Sequence, residues 1–298
     1  MAVAVVAVFA LRAQPDVGAG SGGAGASGPA PAAAPKVKLG TIDLLAAGDI
    51  AQCDSTGDEA TARLAAKYPK VPIAAVGDLA YPAGTAADFA RCYQPSWGKV
   101  DARVRPAAGN HEYGTGVATD YFARYGARAG APGRGWYSYD LKSWHVVVLN
   151  SNCALVPGGG CAAGSEQERW LRADLAAHPA RCTLAYWHHP RRSSGLHGDN
   201  PVVEPLWQAL VDARVDVVLG GHDHHYERFA PDHGLREWVV GTGGAGNYPI
   251  PLVKRGSQVR WGGGHGLLAL SLRPRSYRWR FLVAGGGDFQ DSGASACH

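Results

Sequence analysis

Val215-Asp216-Val217-Val218-Leu219 feeds directly into Gly220-Gly221-His222-Asp223-His224-His225, so an apolar run ends in a cluster of imidazoles. A short run of valine and leucine bounded by glycines reads as a buried strand, and the glycines let the backbone turn sharply where it ends. The imidazoles are thereby delivered to the carboxyl edge of a strand, where α/β sheets bind their ligands. Four motifs upstream have the same build, an apolar run followed by side chains able to hold a metal. They are Gly48-Asp49, Gly77-Asp78-Leu79-Ala80-Tyr81, Gly109-Asn110-His111-Glu112 and Trp187-His188-His189-Pro190.

Around these motifs the pattern alternates. Strand-like runs are predicted at 42–47, 72–76, 103–107, 136–141, 144–150, 183–187, 215–219, 235–241, 267–272 and 277–283. Helical patterns fall between them at 57–68, 85–93, 118–125, 165–178 and 201–213. The helix near 165 carries a start signal, Ser165 followed by Glu168, ahead of an apolar stripe through Leu171 and Leu175. The first part interleaves strand and helix, whereas the last sixty or so residues read as strands and glycine-rich turns, with 241–246 and 262–266 taken as loops. The expectation is a mixed α/β (α+β) domain over 39–298, its sheets mixed and its helices outside.

Composition narrows the class. Hydrophobic residues make up 46% of the 298, enough for a substantial core, and the formal net charge is +4. Residues 1–38 hold Arg12, Lys36 and Lys38 against Asp16, leaving 26 basic and 24 acidic residues beyond them. That balance, without a Lys/Arg stripe, argues against a nucleic-acid partner. Residues 1–12 form an apolar, signal-like leader, too short for the roughly 20 residues that a membrane span needs and without preceding basic residues. Export is the leading reading, with a short lipid-facing anchor or a functionless tail as alternatives. Residues 13–38 are rich in Ala, Gly and Pro and are expected to be a linker.

Six cysteines, Cys53, Cys92, Cys153, Cys161, Cys182 and Cys297, show no CxxC spacing. An even count beside a leader-like segment favours three disulfides in an oxidising compartment, hence a secreted or cell-surface protein; six free thiols in a cytosolic chain is the alternative. A small Cys153–Cys161 loop is the one pairing guessed.

The five motifs, in order from 44 to 227, resemble the calcineurin-like metallophosphoesterase superfamily and most closely its purple acid phosphatase branch, in a compact bacterial form. The resemblance implies a four-layer α/β/β/α sandwich with two mixed sheets, and a hydrolase acting on small phosphate esters. By resemblance, Asp49, Asp78, Tyr81 and His224 would hold one metal, and Asn110, His188 and His222 a second, with Asp78 shared. Carboxylate, phenolate and imidazole donors suit hard or borderline cations. In that branch the phenolate at the Tyr81 position binds Fe(III), with Fe, Zn or Mn at the second site; the other reading of Tyr81 is packing beside Pro82. His188 is chosen over His189 because the family places its ligand two residues before the proline, which leaves His189 a supporting role. His222 and His224, two apart, are expected to point the same way on an extended segment, and His225 to pack or hydrogen-bond.

Two further histidines carry catalytic expectations from the resemblance. His111, beside the ligand Asn110, would contact phosphate together with Asn110, and His197 would protonate the departing alkoxide. Arg191 and Arg192 either hold substrate oxygens or form a solvated turn, and Glu112 either orients His111 or stands as an exposed carboxylate. His145, His178, His233, His265 and His298 are read as structural or surface residues. One departure stands out: Gly48-Asp49-Ile50-Ala51 lacks the second glycine common in the purple branch, and Cys53 and Asp54 lie close by. The expected reaction is monoester hydrolysis by in-line attack of a hydroxide held on the cations. A diesterase or nucleotide hydrolase would share all these ligands. A surface-tethered metal- or phosphate-binding module is the reading from another class.

Overall fold

Leu44 and Ala46 face one way and Leu45 and Ala47 the other, and all four are fully buried. A strand apolar on both faces has to lie between two packed layers. The structure, a computed structural model, describes residues 39–298, which fall within one compact unit, Lys36–His298. The expected leader and linker at 1–12 and 13–38 lie outside the described residues.

Among the described residues the strands are β1 Leu44–Ala47, β2 Ile73–Val76, β3 Val104–Ala107, β4 Tyr137–Leu141, β5 Trp144–Val148, β6 Cys182–Tyr186 and β7 Val217–Gly220. They continue as β8 Tyr226–Phe229, β9 Arg236–Val240, β10 Ser257–Trp261, β11 Gly266–Arg273, β12 Ser276–Val283 and β13 Ser292–Ala296. The α-helices are α1 Gly57–Ala66, α2 Ala86–Asp88, α3 Thr119–Tyr125, α4 Glu166–Ala177 and α5 Glu204–Asp212. One sheet has the order β13-β12-β11-β1-β2-β3 and the other β10-β8-β9-β7-β6-β5-β4. Both are mixed: β1, β2 and β3 run parallel, as do β5, β6, β7 and β9, and antiparallel strands flank each set.

Three apolar layers account for the stacking. Leu44, Ala46, Val76 and Leu268 meet Val146, Leu184, Val217 and Trp238 between the sheets. Leu45, Ala75 and Ala269 pack outward with Ala62 and Ala65 of α1 and Tyr121 of α3. Val147, Ala185 and Val218 pack outward with Leu171 of α4 and Leu206 and Leu210 of α5. The result is the expected four-layer α/β/β/α sandwich. Ser165 caps α4 by accepting from Glu168 N, as its sequence anticipates. No helix among the described residues is long and apolar enough to cross a membrane.

Where structure and pattern differ, the reason is local. The helix expected at 85–93 is one α-turn followed by a wider π-turn at Phe89–Tyr93, which carries Cys92 to its disulfide with Cys53. Strands β8, β10 and β13 were not expected. The last two are sheet edges whose half-exposed faces need no apolar alternation, and β8 buries the charged Glu227 along with Tyr226 and Phe229, which breaks the apolar pattern. Gly266, expected in a loop, opens β11. All six cysteines pair, Cys53–Cys92, Cys153–Cys161 and Cys182–Cys297, which removes the free-thiol alternative.

His145, expected to be structural or at the surface, is buried and paired. Its Nδ1 lies 2.9 Å from Asp140 and its Nε2 2.8 Å from Asp174 of α4, and its ring stacks on His178 at 4.6 Å. Burial alone would lower its pKa, but the two carboxylates outweigh burial and raise it. A raised folded-state value stabilises below the unfolded pKa of about 6.5, and that stability is lost as pH rises through the folded value. Thermal melts from pH 6 to pH 9 should therefore show a loss in the native chain that shrinks in His145→Gln. Parallel pH profiles for the two chains would contradict the assignment.

Candidate metal centre

All five motifs sit immediately beyond strand ends, Asp49 after β1, Asp78 after β2, Asn110 after β3, His188 after β6 and His222 after β7. The backbone is bent there. Asp49, Asp78 and His222 have φ of 58°, 50° and 69°, a left-handed conformation that side-chain-bearing residues adopt at a cost. Two glycines make the crowding possible. A Cβ on Gly109 would lie 2.1 Å from Asp78 Oδ1, and one on Gly77, itself at φ 90°, would lie 2.5 Å from His188 Nδ1.

The seven expected ligands converge. Tyr81 Oη lies 3.2 Å from Asp49 Oδ1, 3.3 Å from Asp78 Oδ2 and 3.0 Å from His224 Nε2. On the other side of Asp78, His188 Nε2 lies 3.1 Å from Asp78 Oδ2 and 3.0 Å from Asn110 Oδ1. The His222 ring packs edge-on to His188, with centroids 5.1 Å apart. Asp78 is therefore the shared wall of two donor groups. His222 and His224 reach this centre from a chain of bends rather than from the expected extended segment.

Their orientation is fixed from behind. His188 Nδ1 is 2.9 Å from the Val76 carbonyl and His224 Nδ1 is 2.5 Å from the Gly246 carbonyl, so each presents Nε2 to the centre. Metal-binding imidazoles are typically held in this way.

Electrostatics show what the site lacks. Asp49, Asp78 and Glu112 are at most 1% exposed and crowd one space, an arrangement that needs positive charge to be tolerable. Burial would lower the pKa of His188, but Asp78 and then Asp49 raise it to about 9. Burial likewise works against Asp78, yet His188 and His111 hold it well below the usual carboxylate range. Burial and the His188 charge depress His189 to about 3 and His222 further, whereas at His224 burial is outweighed by Asp49, which raises it. Tyr81 is pushed well above its ordinary value by burial and by the Asp49 and Asp78 charges. A proton on His188 thus supplies charge that cations between these oxygen and nitrogen donors would supply better. The donors suit such cations: Asp49, Asp78 and His188 offer ligand atoms within 4.8 Å of one another, and so do His188, His189 and His222, the two groups sharing His188.

The remaining expectations divide. His111 N donates to Asp78 Oδ1 at 2.9 Å, and its partly exposed ring leans on Tyr81 at the mouth of the centre. His197 stacks on His222, with centroids 4.2 Å apart, on the opposite flank. His189, given a supporting role by the resemblance, has its Nδ1 2.8 Å from Ser151 Oγ and its ring beside His188 and His222, and His225 is buried against Glu227.

Glu112 is not an exposed carboxylate, and it orients ligand loops rather than His111. It accepts from the backbone N of Asp78, Leu79 and Gly109 and so joins two ligand loops. Burial and then the Asp78 charge raise it to about 7. Arg191 does not face the centre, because its guanidinium is held by Glu204 and Asp232 and lies over Trp207. Arg192 is tied in the same way to the buried Glu237. Arg191 is therefore not free to hold a substrate oxygen.

Two residues were missed. Tyr248 stacks flat on His224 at 3.9 Å and meets the His197 ring edge-on. Nothing in the sequence marks it beyond its place after the glycine-rich 241–246 loop. Asp223 stands between two ligands in the histidine motif itself. It turns away from the centre to accept from His197 N at 2.9 Å and from Ser193 Oγ, and thereby carries the loop that presents His197.

Residues 40–226 match the family model described as calcineurin-like phosphoesterase. Purple acid phosphatase 22 of Arabidopsis thaliana is 28% identical over 222 residues, covering 60% of this chain and 50% of its own length. An uncharacterized protein of Mycobacterium tuberculosis is 31% identical over 210 residues, covering 61% of this chain and 38% of its own. The chain thus spans half or less of the length of these curated relatives. The purple acid phosphatase PPD1 from yellow lupin, Lupinus luteus, shares the fold with a TM-score of 0.67 at 19% identity, over 85% of this chain and 53% of that one.

Proposed function

Since this chain belongs to the calcineurin-like phosphoesterase family, we propose that it is an exported, dinuclear-metal phosphatase of the purple acid type that hydrolyses phosphate monoesters. The observation that carries the reading is the convergence of seven donor side chains on two sides of Asp78. Asp49, Asp78, Tyr81 and His224 would hold one ion, an Fe(III) matched to the phenol. Asn110, His188 and His222, with Asp78 again, would hold Fe, Zn or Mn. When bound, such a pair supplies Lewis acidity toward a phosphoryl oxygen and lowers the pKa of a coordinated water.

The chain's own residues do the rest. His111 and Asn110 line the position of the phosphoryl group, and His111 is steadied by its backbone bond to Asp78. His197, presented by Asp223 and stacked on His222, is placed to give a proton to the departing oxygen. Glu112 keeps the Asp78 and Gly109 loops in register, so that Asp78 and Asn110 keep their spacing. Three disulfides support a secreted or cell-surface location, and the near balance of charge supports a small ester rather than a nucleic acid as substrate.

The test is hydrolysis of p-nitrophenyl phosphate against bis(p-nitrophenyl) phosphate by the purified full chain, with metal content measured in parallel. The monoester should be turned over with the higher kcat/KM by protein holding two ions. Preference for the diester would overturn monoester specificity, and metal-loaded protein inert to both would overturn the enzyme.

A further inference from the structure

The metal centre opens onto two cavities, and they differ in chemistry. One, of about 590 Å³, lies on the Tyr81 side and includes His111, Tyr248 and Arg91. The other, of about 470 Å³, lies on the far flank, where His197 and His222 meet Asn152, Leu155, Asp199 and Val202. Both are of a size common for small-molecule sites.

We propose that the cavity beside His197 receives the leaving group, and that it selects phosphate monoesters whose leaving group is uncharged and apolar, aryl in particular, over polyanions such as pyrophosphate and nucleotides. The proposal rests on the phosphatase reading above.

Position comes first. A proton donor must lie within hydrogen-bond reach of the oxygen it protonates, so the organic group extends into the cavity that His197 lines. The walls come second. Leu155 and Val202, which line that cavity, are 50% and 58% exposed. They form an apolar rim that a carbon skeleton would cover. Charge comes third. No lysine or arginine lines the cavity among the described residues. Its one charged residue is Asp199, a carboxylate that accepts from Ser193 N and pairs with Lys254 at 3.0 Å. The two arginines nearest in sequence are bound to Glu204, Asp232 and Glu237. A second phosphate would have to compete with Asp199 for Lys254 and would find no lysine or arginine in the lining itself.

Calorimetry on the metal-loaded full chain tests this with phenylphosphonate and methylphosphonate, which differ only in the group that would enter the cavity. Phenylphosphonate should bind about tenfold more tightly. Val202→Asp and Leu155→Asp, both at exposed positions, should bring the ratio close to one while methylphosphonate binding stays at the native level. In parallel, kcat/KM for phenyl phosphate relative to methyl phosphate should fall in both variants. A native ratio near one, or a ratio that neither variant changes, overturns the subsite. If neither phosphonate binds and p-nitrophenyl phosphate is not hydrolysed, the phosphatase reading itself fails and takes the subsite with it.

Discussion

Asp78→Asn is expected to lower monoester hydrolysis by about three orders of magnitude and to leave the protein with one metal ion or none. Asp78 faces both donor groups, 3.3 Å from Tyr81 Oη and 3.1 Å from His188 Nε2. An asparagine keeps the shape but removes the charge that two cations would share. The metal-free protein should remain folded: the change removes the Asp78–His188 pair but also relieves the repulsion between Asp78 and Glu112. Melting of the metal-free forms separates the two effects. Native-like activity with two ions retained would contradict the assignment, and so would loss of activity accompanied by unfolding.

The second large effect concerns stability. The Cys182–Cys297 disulfide joins the first residue of β6, in one sheet, to the residue after β13, at the edge of the other. It closes a span of 115 residues, whereas Cys153–Cys161 closes only 8. Loop-closure entropy gives the long bridge about 5 kcal/mol and the short one about 2–3 kcal/mol. Replacing Cys182 and Cys297 by alanine should therefore lower the melting temperature by on the order of 10 °C and leave metal content unchanged. Replacing Cys153 and Cys161 should cost roughly half as much. Equal losses for the two pairs would show that the entropy argument does not govern this fold.

The motifs behind the resemblance were legible in the sequence for a physical reason. Asp49, Asp78 and His222 each follow a buried strand that ends in glycine, and that is a local signal. Positive φ at Asp49, Asp78 and His222 was not legible, because it depends on strands contributed from far along the chain. The same holds for Glu112 and Arg191. Glu112 looks exposed in Asn110-His111-Glu112-Tyr113, yet its carboxylate is consumed by backbone donors on a loop more than thirty residues away. Arg191 looks available beside Pro190 until Glu204, Asp232 and Trp207 fold against it. Strands β10 and β13 escaped because edge pairing is a backbone matter and leaves little trace in side-chain pattern. Tyr248 escaped because an aromatic residue in a glycine-rich loop has no period to read.

Anomalous diffraction from crystals grown with iron, zinc or manganese tests the metal centre most directly. Two peaks should appear about 3.5–4 Å apart on either side of the Asp78 carboxylate. One should lie among Asp49, Tyr81 and His224, and the other among Asn110, His188 and His222. A single peak, or density gathered instead at the His145, Asp174 and His178 cluster, would contradict it.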